Sequence, residues 1–240
     1  MNRKIGILIS GRGSNLQAII DAVASGSLDA EITVVISNKA DAAGLDRAKK
    51  AGIESLYVDH KTYASREQFD LALVAELKKR DVAVVCLAGF MRLLSEEFVN
   101  AFPNAILNVH PSLLPAFPGL DAQRQAWEYG VKLSGATVHV VTPLLDNGPI
   151  ILQAVVAVYA EDSADNLAAR ILEQEHRIYP EAIGLFLDGR WRIDGRRFAR
   201  DTTLCQLTNK LNISRKDVSM LFVEPTSSAS LRESRPVVLH

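Results

Sequence analysis

The stretch KIGILISGRGSNLQAIIDAV (4–23) contains a hydrophobic strand, a glycine-rich loop and an amphipathic helix in direct succession. The six residues at its start are apolar apart from Lys4, as expected of a strand that is buried on both faces. The apolar residues that follow the loop recur at i, i+3, i+4 and i+7, the spacing of one helix face: Leu16, Ile19, Ile20 and Val23. Strand, loop and helix in this order are typical of the first unit of an α/β domain with parallel strands.

The same alternation of apolar runs and amphipathic stretches continues along the chain. Six further strands are predicted, from EITVVI (31–36), SLYV (55–58), VAVVCLA (82–88), AILNV (105–109), TVHVV (137–141) and IILQAVVAV (150–158). A helix is predicted over residues 66–80, with Ser65 and Gln68 spaced as a capping box. KIGILI (4–9) and the first four of these six runs show little polar alternation. We therefore predict a doubly wound, mostly parallel, Rossmann-like sheet. A polar turn at 145–149 between the last two runs predicts an antiparallel addition in the C-terminal half.

The C-terminal part of the chain begins with a long predicted helix that Ser163 opens. Pro180 is expected to end or kink this helix, and a second helical stretch is expected to reach Gly189. Trp191 and Ile193 predict a short final strand, and the compact domain is expected to end near Phe198.

Residues 199–240 are predicted to be an extension that is partly helical or disordered. Residues 202–221 have the spacing of a helix-turn-helix, and the residues leave its role open between docking, DNA binding and none. The composition of the last part of the extension, EPTSSASLRESRP, is typical of disorder.

The composition limits the class of protein. The chain has 240 residues and 26.2 kDa, which is enough for one large α/β domain and a short appendage. Its 27 basic and 28 acidic residues exclude a basic surface over the whole domain, so we expect no nucleic-acid partner for residues 1–198. Two cysteines cannot form a disulfide framework, and the apolar run 5–9 is too short for a signal peptide or a membrane span. We therefore predict a cytoplasmic protein without a membrane partner.

The loop SGRGSN (10–15) is a candidate anion site. Its glycines allow positive φ and a close approach of the backbone, and Ser14 or Asn15 is expected to cap the helix that follows. A helix N-terminus offers free amides and a partial positive charge, to which Arg12 adds a full one, so a phosphate is expected here. A tight turn without a ligand is the alternative reading, and the loop matches neither a Walker A motif nor G-x-G-x-x-G.

Asn108 and His110 are candidates for the chemistry because they stand two residues apart at the end of a predicted strand, on one face of it. An imidazole can move a proton near neutral pH, and an amide can donate to a developing oxyanion. Asp146 can reach the same crevice if its strand lies beside theirs, although Asp-Asn-Gly also suits a local Asx-turn. A metal site using His110, His139 and Asp146 matches no compact ligand spacing, so no metal is predicted.

Two further segments have both a structural and a functional reading. Glu175 falls on the apolar face of the predicted helix, where it must be paired, must face a ligand, or must reach solvent at the edge of that face. AGFMRLL (88–94) could form an apolar wall for a flat aromatic ligand, or could pack into the core under the next helix. Cys86, inside an apolar strand, is most simply a buried thiol.

Taken together, these segments resemble the folate-dependent phosphoribosylglycinamide formyltransferases, from about residue 3 to residue 198. The resemblance is carried by GRGSNLQ (11–17), AGFMRLL (88–94), NVHPSLLPAFPGL (108–120), TVHVV with LDNGPIILQ (137–153) and EQEHRIYP (173–180). It implies the formyltransferase fold and transfer of a formyl group from 10-formyltetrahydrofolate, as co-substrate, to the amine of glycinamide ribonucleotide in purine synthesis. No metal is part of the implied chemistry.

The resemblance also implies roles for individual residues. The implied catalytic residues are Asn108, His110 and Asp146. The substrate phosphate is assigned to Gly11, Arg12, Gly13, Ser14 and Asn15, and the rest of that substrate to Leu172, Glu173, Gln174 and Glu175. The folate site is assigned to Arg66, Met91, Arg92, Leu93, Leu94, Asn108, Thr142, Pro143, Leu144, Leu145 and Asp146. Without the resemblance, Arg66 reads as a solvated surface residue.

Three other functions remain as alternatives. Methionyl-tRNA formyltransferase shares NxHPSLLP but has a larger C-terminal domain than the tail here is expected to form. Formyltetrahydrofolate hydrolase has a domain before its first strand, whereas the first strand here starts at residue 4. A non-catalytic phosphate-binding module is disfavoured by the intact Asn108, His110 and Asp146. The residues leave the oligomeric state open, with a homodimer among the options.

Overall fold

Strand β1 (Lys4–Ile9) lies inside a mixed sheet in the computed structural model, which describes residues 2–200. It pairs in parallel with β2 (Glu31–Ser37) on one side and with β4 (Val84–Leu87) on the other. The parallel part continues outward to β3 (Ser55–Tyr57) next to β2, and to β5 (Ile106–His110) next to β4. All five strands therefore end at the same edge of the sheet, and the chain reverses its direction of winding between β1 and β4.

The antiparallel addition predicted for the C-terminal half is confirmed and extends further than expected. Strand β6 (Leu133–Val140) runs antiparallel to β5, and β7 (Ile150–Ala157) runs antiparallel to β6. A hairpin of β8 (Trp191–Asp194) and β9 (Arg197–Arg200) then joins the edge, with β9 parallel to β7. Within residues 2–200 the strand order is β3-β2-β1-β4-β5-β6-β7-β9-β8.

Helices cover both faces of the sheet, as the doubly wound prediction requires. They are α1 (Ser14–Ala24), α2 (Ala43–Lys50), α3 (Arg66–Lys79), α4 (Glu96–Ala101), α5 (Ala122–Tyr129) and α6 (Ala164–Leu187), with a 3₁₀ turn at His60–Thr62. Buried residues of α1, α2, α5 and α6 belong to one hydrophobic cluster, and those of α3 and α4 belong to another. Serine hydroxyls cap α3, α4 and α6 by accepting from a backbone amide in the first turn.

Of the two outcomes expected at Pro180, an end or a kink, the end is wrong, because α6 continues through this residue to Leu187 as one helix. Proline removes one backbone hydrogen bond and crowds the preceding turn, at a cost of about 3 kcal/mol. The apolar face continues on both sides of it, and Tyr179, Ile183 and Phe186 are almost completely buried. Burying each large side chain contributes roughly 1.5–3 kcal/mol, which outweighs the local cost.

The last described strand contains the residue at which the compact domain was expected to end. Phe198 lies inside β9, and its ring stacks on Trp191 with 5.2 Å between centroids. The predictions made for 202–221 and for the rest of 201–240 lie outside the described residues. No helix among residues 2–200 is long and apolar enough to cross a membrane.

Candidate active site

The first loop (10–15) connects β1 to α1 at the carboxyl edge of the sheet. Gly13 is the N-cap of α1 and has a left-handed backbone, with φ of 69°, and no side chain bonds to the first-turn amides of this helix. The expectation that Ser14 or Asn15 caps the helix is therefore wrong, because both are already its first residues and the Asn15 amide group is bonded elsewhere. Arg12 is exposed beside the loop. The loop thus combines uncapped amides with a cation, the arrangement that binds an anion.

Helix α6 brings Glu175 against this loop. Asn15 Nδ2 donates to Glu175 Oε2 over 2.7 Å, and Glu175 is only 6% exposed. Burial raises the pKa of Glu175, and the hydrogen bond from Asn15 only partly opposes that rise. The alternative that this carboxyl reaches solvent at the helix edge is therefore wrong. Within the segment 172–175, Leu172 and Gln174 are half-buried and Glu173 is exposed.

Ser10 connects the first loop to the second loop (88–95), which follows β4. Its amide donates to the Gly89 carbonyl over 3.1 Å, and its hydroxyl accepts from the Met91 amide over 2.9 Å. The same hydroxyl donates to Asn38 Oδ1 over 2.6 Å, and Ser10 is 3% exposed. Ser10 belongs to the candidate anion loop SGRGSN (10–15), but no separate role was predicted for it from the sequence. The two loops are therefore tied together at their starting points.

The second loop presents apolar side chains to the surface. Met91 is 67% exposed and Leu93 is 58% exposed, so the alternative that they pack into the core is wrong for these two residues. Leu94 is half-buried against the cluster of α3 and α4, and the half-buried Arg92 lies over the Phe69 ring, 5.2 Å from its centroid. An exposed apolar wall with a cation beside it suits a flat ligand that carries negative charge.

Asp70 attaches helix α3 to the end of the second loop. Its Oδ2 accepts from the Ser95 amide over 2.6 Å, and the residue is fully buried. Burial raises the pKa of Asp70, although the Ser95 hydrogen bonds and the charges of Arg66 and Arg92 oppose it. Arg66 itself is exposed in the first turn of α3, 3.4 Å from Glu67. The structure thus places Arg66 and Arg92 around one buried carboxyl at the second loop.

The antiparallel pairing of β5 and β6 places polar side chains next to one another at the end of β5. Asn108 stands opposite His139, and His110 stands opposite Thr137. Asn108 Nδ2 lies 3.2 Å from His139 Nε2. Asp146, in the turn after β6, lies 3.5 Å from His110 Nδ1 through Oδ2 and 3.7 Å from His139 Nε2 through Oδ1. The three residues predicted to act together, Asn108, His110 and Asp146, are therefore assembled in one cluster.

Both ring nitrogens of His110 face oxygen atoms. Its Nε2 lies 2.8 Å from the Phe117 carbonyl oxygen, which can only accept, so this nitrogen carries a proton. Its Nδ1 faces the Asp146 carboxylate, which also only accepts when it is ionised. His110 thus lies between a carbonyl oxygen and a carboxylate.

Asp146 is held in its ionised form by its surroundings. Burial opposes this by raising the pKa, but His139, the Gly119 amide and the charge of His110 outweigh burial, so the pKa of Asp146 lies below its ordinary value. The Gly119 amide donates to Oδ2 over 2.8 Å. This contact joins two separate loops, so the carboxylate is not used up in a local Asx-turn. The backbone of Asp146 is left-handed, with φ of 47°.

The turn between β6 and Asp146 adds a second apolar surface beside the cluster. Leu144 is 64% exposed and Leu145 is 55% exposed, with Pro143 also exposed, and the hydroxyl of the half-buried Thr142 donates to the Leu144 carbonyl. Exposed leucines next to a buried charged cluster are typical of a ligand-binding wall.

His139 is a site residue to which sequence analysis assigned only a disfavoured metal role. Its Nε2 faces both Asn108 and Asp146, and its Nδ1 lies 3.1 Å from the Val140 carbonyl oxygen. The residue opposite Asn108 could have been named only with the register of β5 and β6 in hand. Within residues 2–200, no group of three or more His, Cys, Asp or Glu side chains is arranged to hold a metal ion. Cys86 is buried as predicted, and burial raises the pKa of its thiol to about 12.

Comparison with known proteins identifies a family for this chain. A family model described as formyl transferase matches residues 3–183. Phosphoribosylglycinamide formyltransferase of Escherichia coli (strain K12) is 50% identical over 187 residues, which cover 78% of this chain and 88% of that protein. The trifunctional purine biosynthetic protein adenosine-3 of Drosophila melanogaster is 47% identical over 189 residues, covering 78% of this chain and 14% of that longer protein.

A solved structure supports the same assignment. The crystal structure of glycinamide ribonucleotide transformylase 1 from Symbiobacterium toebii matches with a TM-score of 0.82 and 56% identity, over 83% of this chain and 94% of that one. The fold, the order of the motifs and the sequence identity point to one group of proteins. The chain belongs to the formyl transferase family and, within it, to the phosphoribosylglycinamide formyltransferases.

Proposed function

We propose that this protein transfers the formyl group of 10-formyltetrahydrofolate to the amine of N1-(5-phosphoribosyl)glycinamide, in purine biosynthesis. The observation that carries the proposal is the buried cluster of Asn108, His110 and Asp146 at the carboxyl end of β5, in a chain of this family. The loop suited to a phosphate follows β1, the loop suited to a flat apolar ligand follows β4, and the cluster lies at the next strand, β5.

Asn108 and His110 stabilise the charge that develops during transfer. The substrate amine attacks the formyl carbon, a carbon–nitrogen bond forms, and negative charge builds up on the formyl oxygen. The Asn108 amide donates to that oxygen, and one such donor is often worth about 3–4 kcal/mol, while the positive charge of His110 stabilises the oxygen electrostatically. Neither group needs to be reoriented, because strand pairing and the Phe117 carbonyl already hold them.

Asp146 supports the reaction in two ways. Its ionised carboxylate stabilises the positive charge on His110, which lies 3.5 Å away. It also lies where a proton leaving the attacking amine can pass, through water, to the folate nitrogen that departs when the tetrahedral intermediate collapses. The proton and the bonding electrons are then balanced, since the amine loses one proton and the leaving nitrogen gains one.

The first loop and Glu175 provide the binding site for glycinamide ribonucleotide. Gly11, Arg12, Gly13, Ser14 and Asn15 receive the phosphate through backbone amides and the Arg12 charge. Glu175 accepts hydrogen bonds from the hydroxyls of the same substrate, together with the turn Leu172, Glu173 and Gln174. Support comes from the uncapped start of α1 and from the Asn15–Glu175 bond, which joins the two segments.

The second loop and the 142–146 turn provide the folate site. Met91, Leu93, Leu144 and Leu145 form the apolar walls, and their exposure supports this role. Arg66 and Arg92 are proposed to bind the anionic end of the folate. Residues 1–198 are proposed as the catalytic domain, with 199–240 as an extension, and the protein is proposed to act in the cytoplasm.

The test is formyl transfer by the purified full chain with glycinamide ribonucleotide and 10-formyltetrahydrofolate. We expect stoichiometric formation of the formylated amide and of tetrahydrofolate. Release of formate without transfer would instead indicate a hydrolase. If neither glycinamide ribonucleotide nor 10-formyltetrahydrofolate is consumed, the proposed reaction is refuted.

A further inference from the structure

Helix α2 contacts the first loop on its outer side through two backbone carbonyls. The Gly44 amide donates to the Gly11 carbonyl over 3.1 Å. Arg47 Nε, one turn further along α2, donates to the Arg12 carbonyl over 2.9 Å. Two successive carbonyls of the loop are therefore bonded to the same helix, and one of these bonds comes from a cationic side chain.

These bonds determine where the neighbouring amides point. In a trans peptide unit the carbonyl of one residue and the N–H of the next lie on opposite sides of the chain. Because the Gly11 and Arg12 carbonyls point toward α2, the N–H groups of Arg12 and Gly13 point away from it. Helix α2 thus orients the amides that the proposed phosphate site requires.

Arg47 is itself held in place by the helix that follows the loop. Its Nη1 donates to Gln17 Oε1 over 3.1 Å, and Gln17 Nε2 donates to Asp21 over 2.8 Å. The guanidinium therefore links α2 to α1 across the loop. Its half-buried stem lies close to Gly13, since a Cβ at Gly13 would be 3.5 Å from Arg47 Cδ.

The contact between α2 and the loop also depends on two glycines. A Cβ on Gly13 would lie 2.6 Å from the Gly44 Cα, which no structure tolerates without a shift of the backbone. A Cβ on Gly44 would in turn lie 3.3 Å from the Gly13 Cα. The two backbones touch directly, so α2 acts as a rigid support and Arg47 fixes the loop to it.

We propose that Arg47 is a positioning residue for the phosphate of the substrate. It acts through the Arg12 carbonyl by holding the loop in the form whose amides receive the phosphate. The inference rests on the proposed function and extends it to a residue outside the loop. If Arg47 has this role, changing it should slow the reaction of the substrate that carries a phosphate and have little effect on a substrate without one.

The experiment compares kcat/KM for glycinamide ribonucleotide with kcat/KM for its dephosphorylated analogue, using the full chain. Arg47→Met removes both hydrogen bonds and keeps most of the apolar stem. We expect it to lower kcat/KM for glycinamide ribonucleotide about tenfold, the equivalent of a lost charged hydrogen bond, with little change for the dephosphorylated analogue. The ratio of the first value to the second should therefore fall about tenfold. Lys50→Met is the matched control, because Lys50 is an exposed cation on the same helix, and the ratio should not change.

Arg47→Lys distinguishes a positioning role from a purely electrostatic one. It also provides a second test if the Arg47→Met variant folds poorly. One ammonium keeps the charge but cannot reproduce the planar fork that reaches Arg12 and Gln17, so we expect a lowered ratio here as well. A ratio restored by Lys, or an equal loss for both substrates in the Met variant, would overturn the positioning role. A wild-type ratio near one would refute the proposed phosphate site itself, and the inference with it.

Discussion

Replacing Asp146 by Asn tests the electrostatic core of the proposed mechanism. The substitution keeps the size of the side chain and one oxygen that can accept from the Gly119 amide, but removes the negative charge. In the wild-type protein that charge lies 3.5 Å from His110 Nδ1, and the two side chains are only 8% and 6% exposed. Coulomb's law at an effective dielectric constant of about 20 gives roughly 5 kcal/mol for this separation.

Desolvation of the two charges opposes this attraction, but removing one partner of a buried ion pair still costs about 3–5 kcal/mol, because the other group is left without its counter-charge. Each 1.36 kcal/mol corresponds to a factor of ten in rate, and we therefore expect kcat to fall about 10³-fold in Asp146→Asn. The measurement is steady-state formyl transfer by the purified variant, with circular dichroism and thermal unfolding to show that the fold is retained.

Asp162→Asn is the matched control. Asp162 is also a carboxylate with little exposure, and it forms a 2.7 Å ion pair with Arg170 away from the catalytic cluster. We expect this variant to lose stability and to keep its turnover. A folded Asp146→Asn protein whose kcat stays within tenfold of the wild-type value would refute the assigned role of the carboxylate.

Three further predictions concern stability. Gly135→Ala should lower the free energy of unfolding by about 3 kcal/mol, because its Cβ would overlap a carbonyl oxygen of the adjacent strand. Gly184→Ala on helix α6 should raise it by about 0.5–1 kcal/mol, because its Cβ meets only an ordinary contact. Urea unfolding of both variants checks the two signs. Burial raises the pKa of Glu175 above its ordinary 4.5, so its ionisation destabilises the fold, and the free energy of unfolding of the wild type should fall relative to Glu175→Gln as the pH rises through that pKa; parallel pH profiles would contradict this. If residues 1–198 contain the whole catalytic domain, a chain ending at Arg200 should unfold cooperatively and keep the wild-type kcat. Loss of cooperative unfolding or of kcat would contradict this boundary of the domain.

The sequence was sufficient to predict the parallel half of the sheet, because buried strands and amphipathic helices differ in period. It also predicted that Asp146 can reach Asn108 and His110 if its strand lies beside theirs, and β6 does pair with β5, although in the antiparallel direction. The individual assignments to the substrate and folate sites came mainly from the family resemblance.

What sequence analysis missed depends on contacts between distant segments. His139 joins the cluster only through the register of β5 and β6, and Ser10 gains its importance only from the second loop. Pro180 misled the helix prediction because a local backbone preference was outweighed by burial of the whole α6 face. Arg47 would read as a surface cation on a short helix, and its contact with the Arg12 carbonyl is visible only in three dimensions.

The hydroxyl of Ser10 has a consequence for how this scaffold can be altered. This oxygen, in the first loop, accepts from the Met91 amide of the second loop and donates to Asn38, and β1 and β4 are direct neighbours in the sheet. The spacing between the starting points of the two loops is therefore set by the distance between adjacent strands, about 4.8 Å. Transplanting either loop from a relative should succeed only when Ser10 and its partners Asn38 and Met91 are moved as one unit.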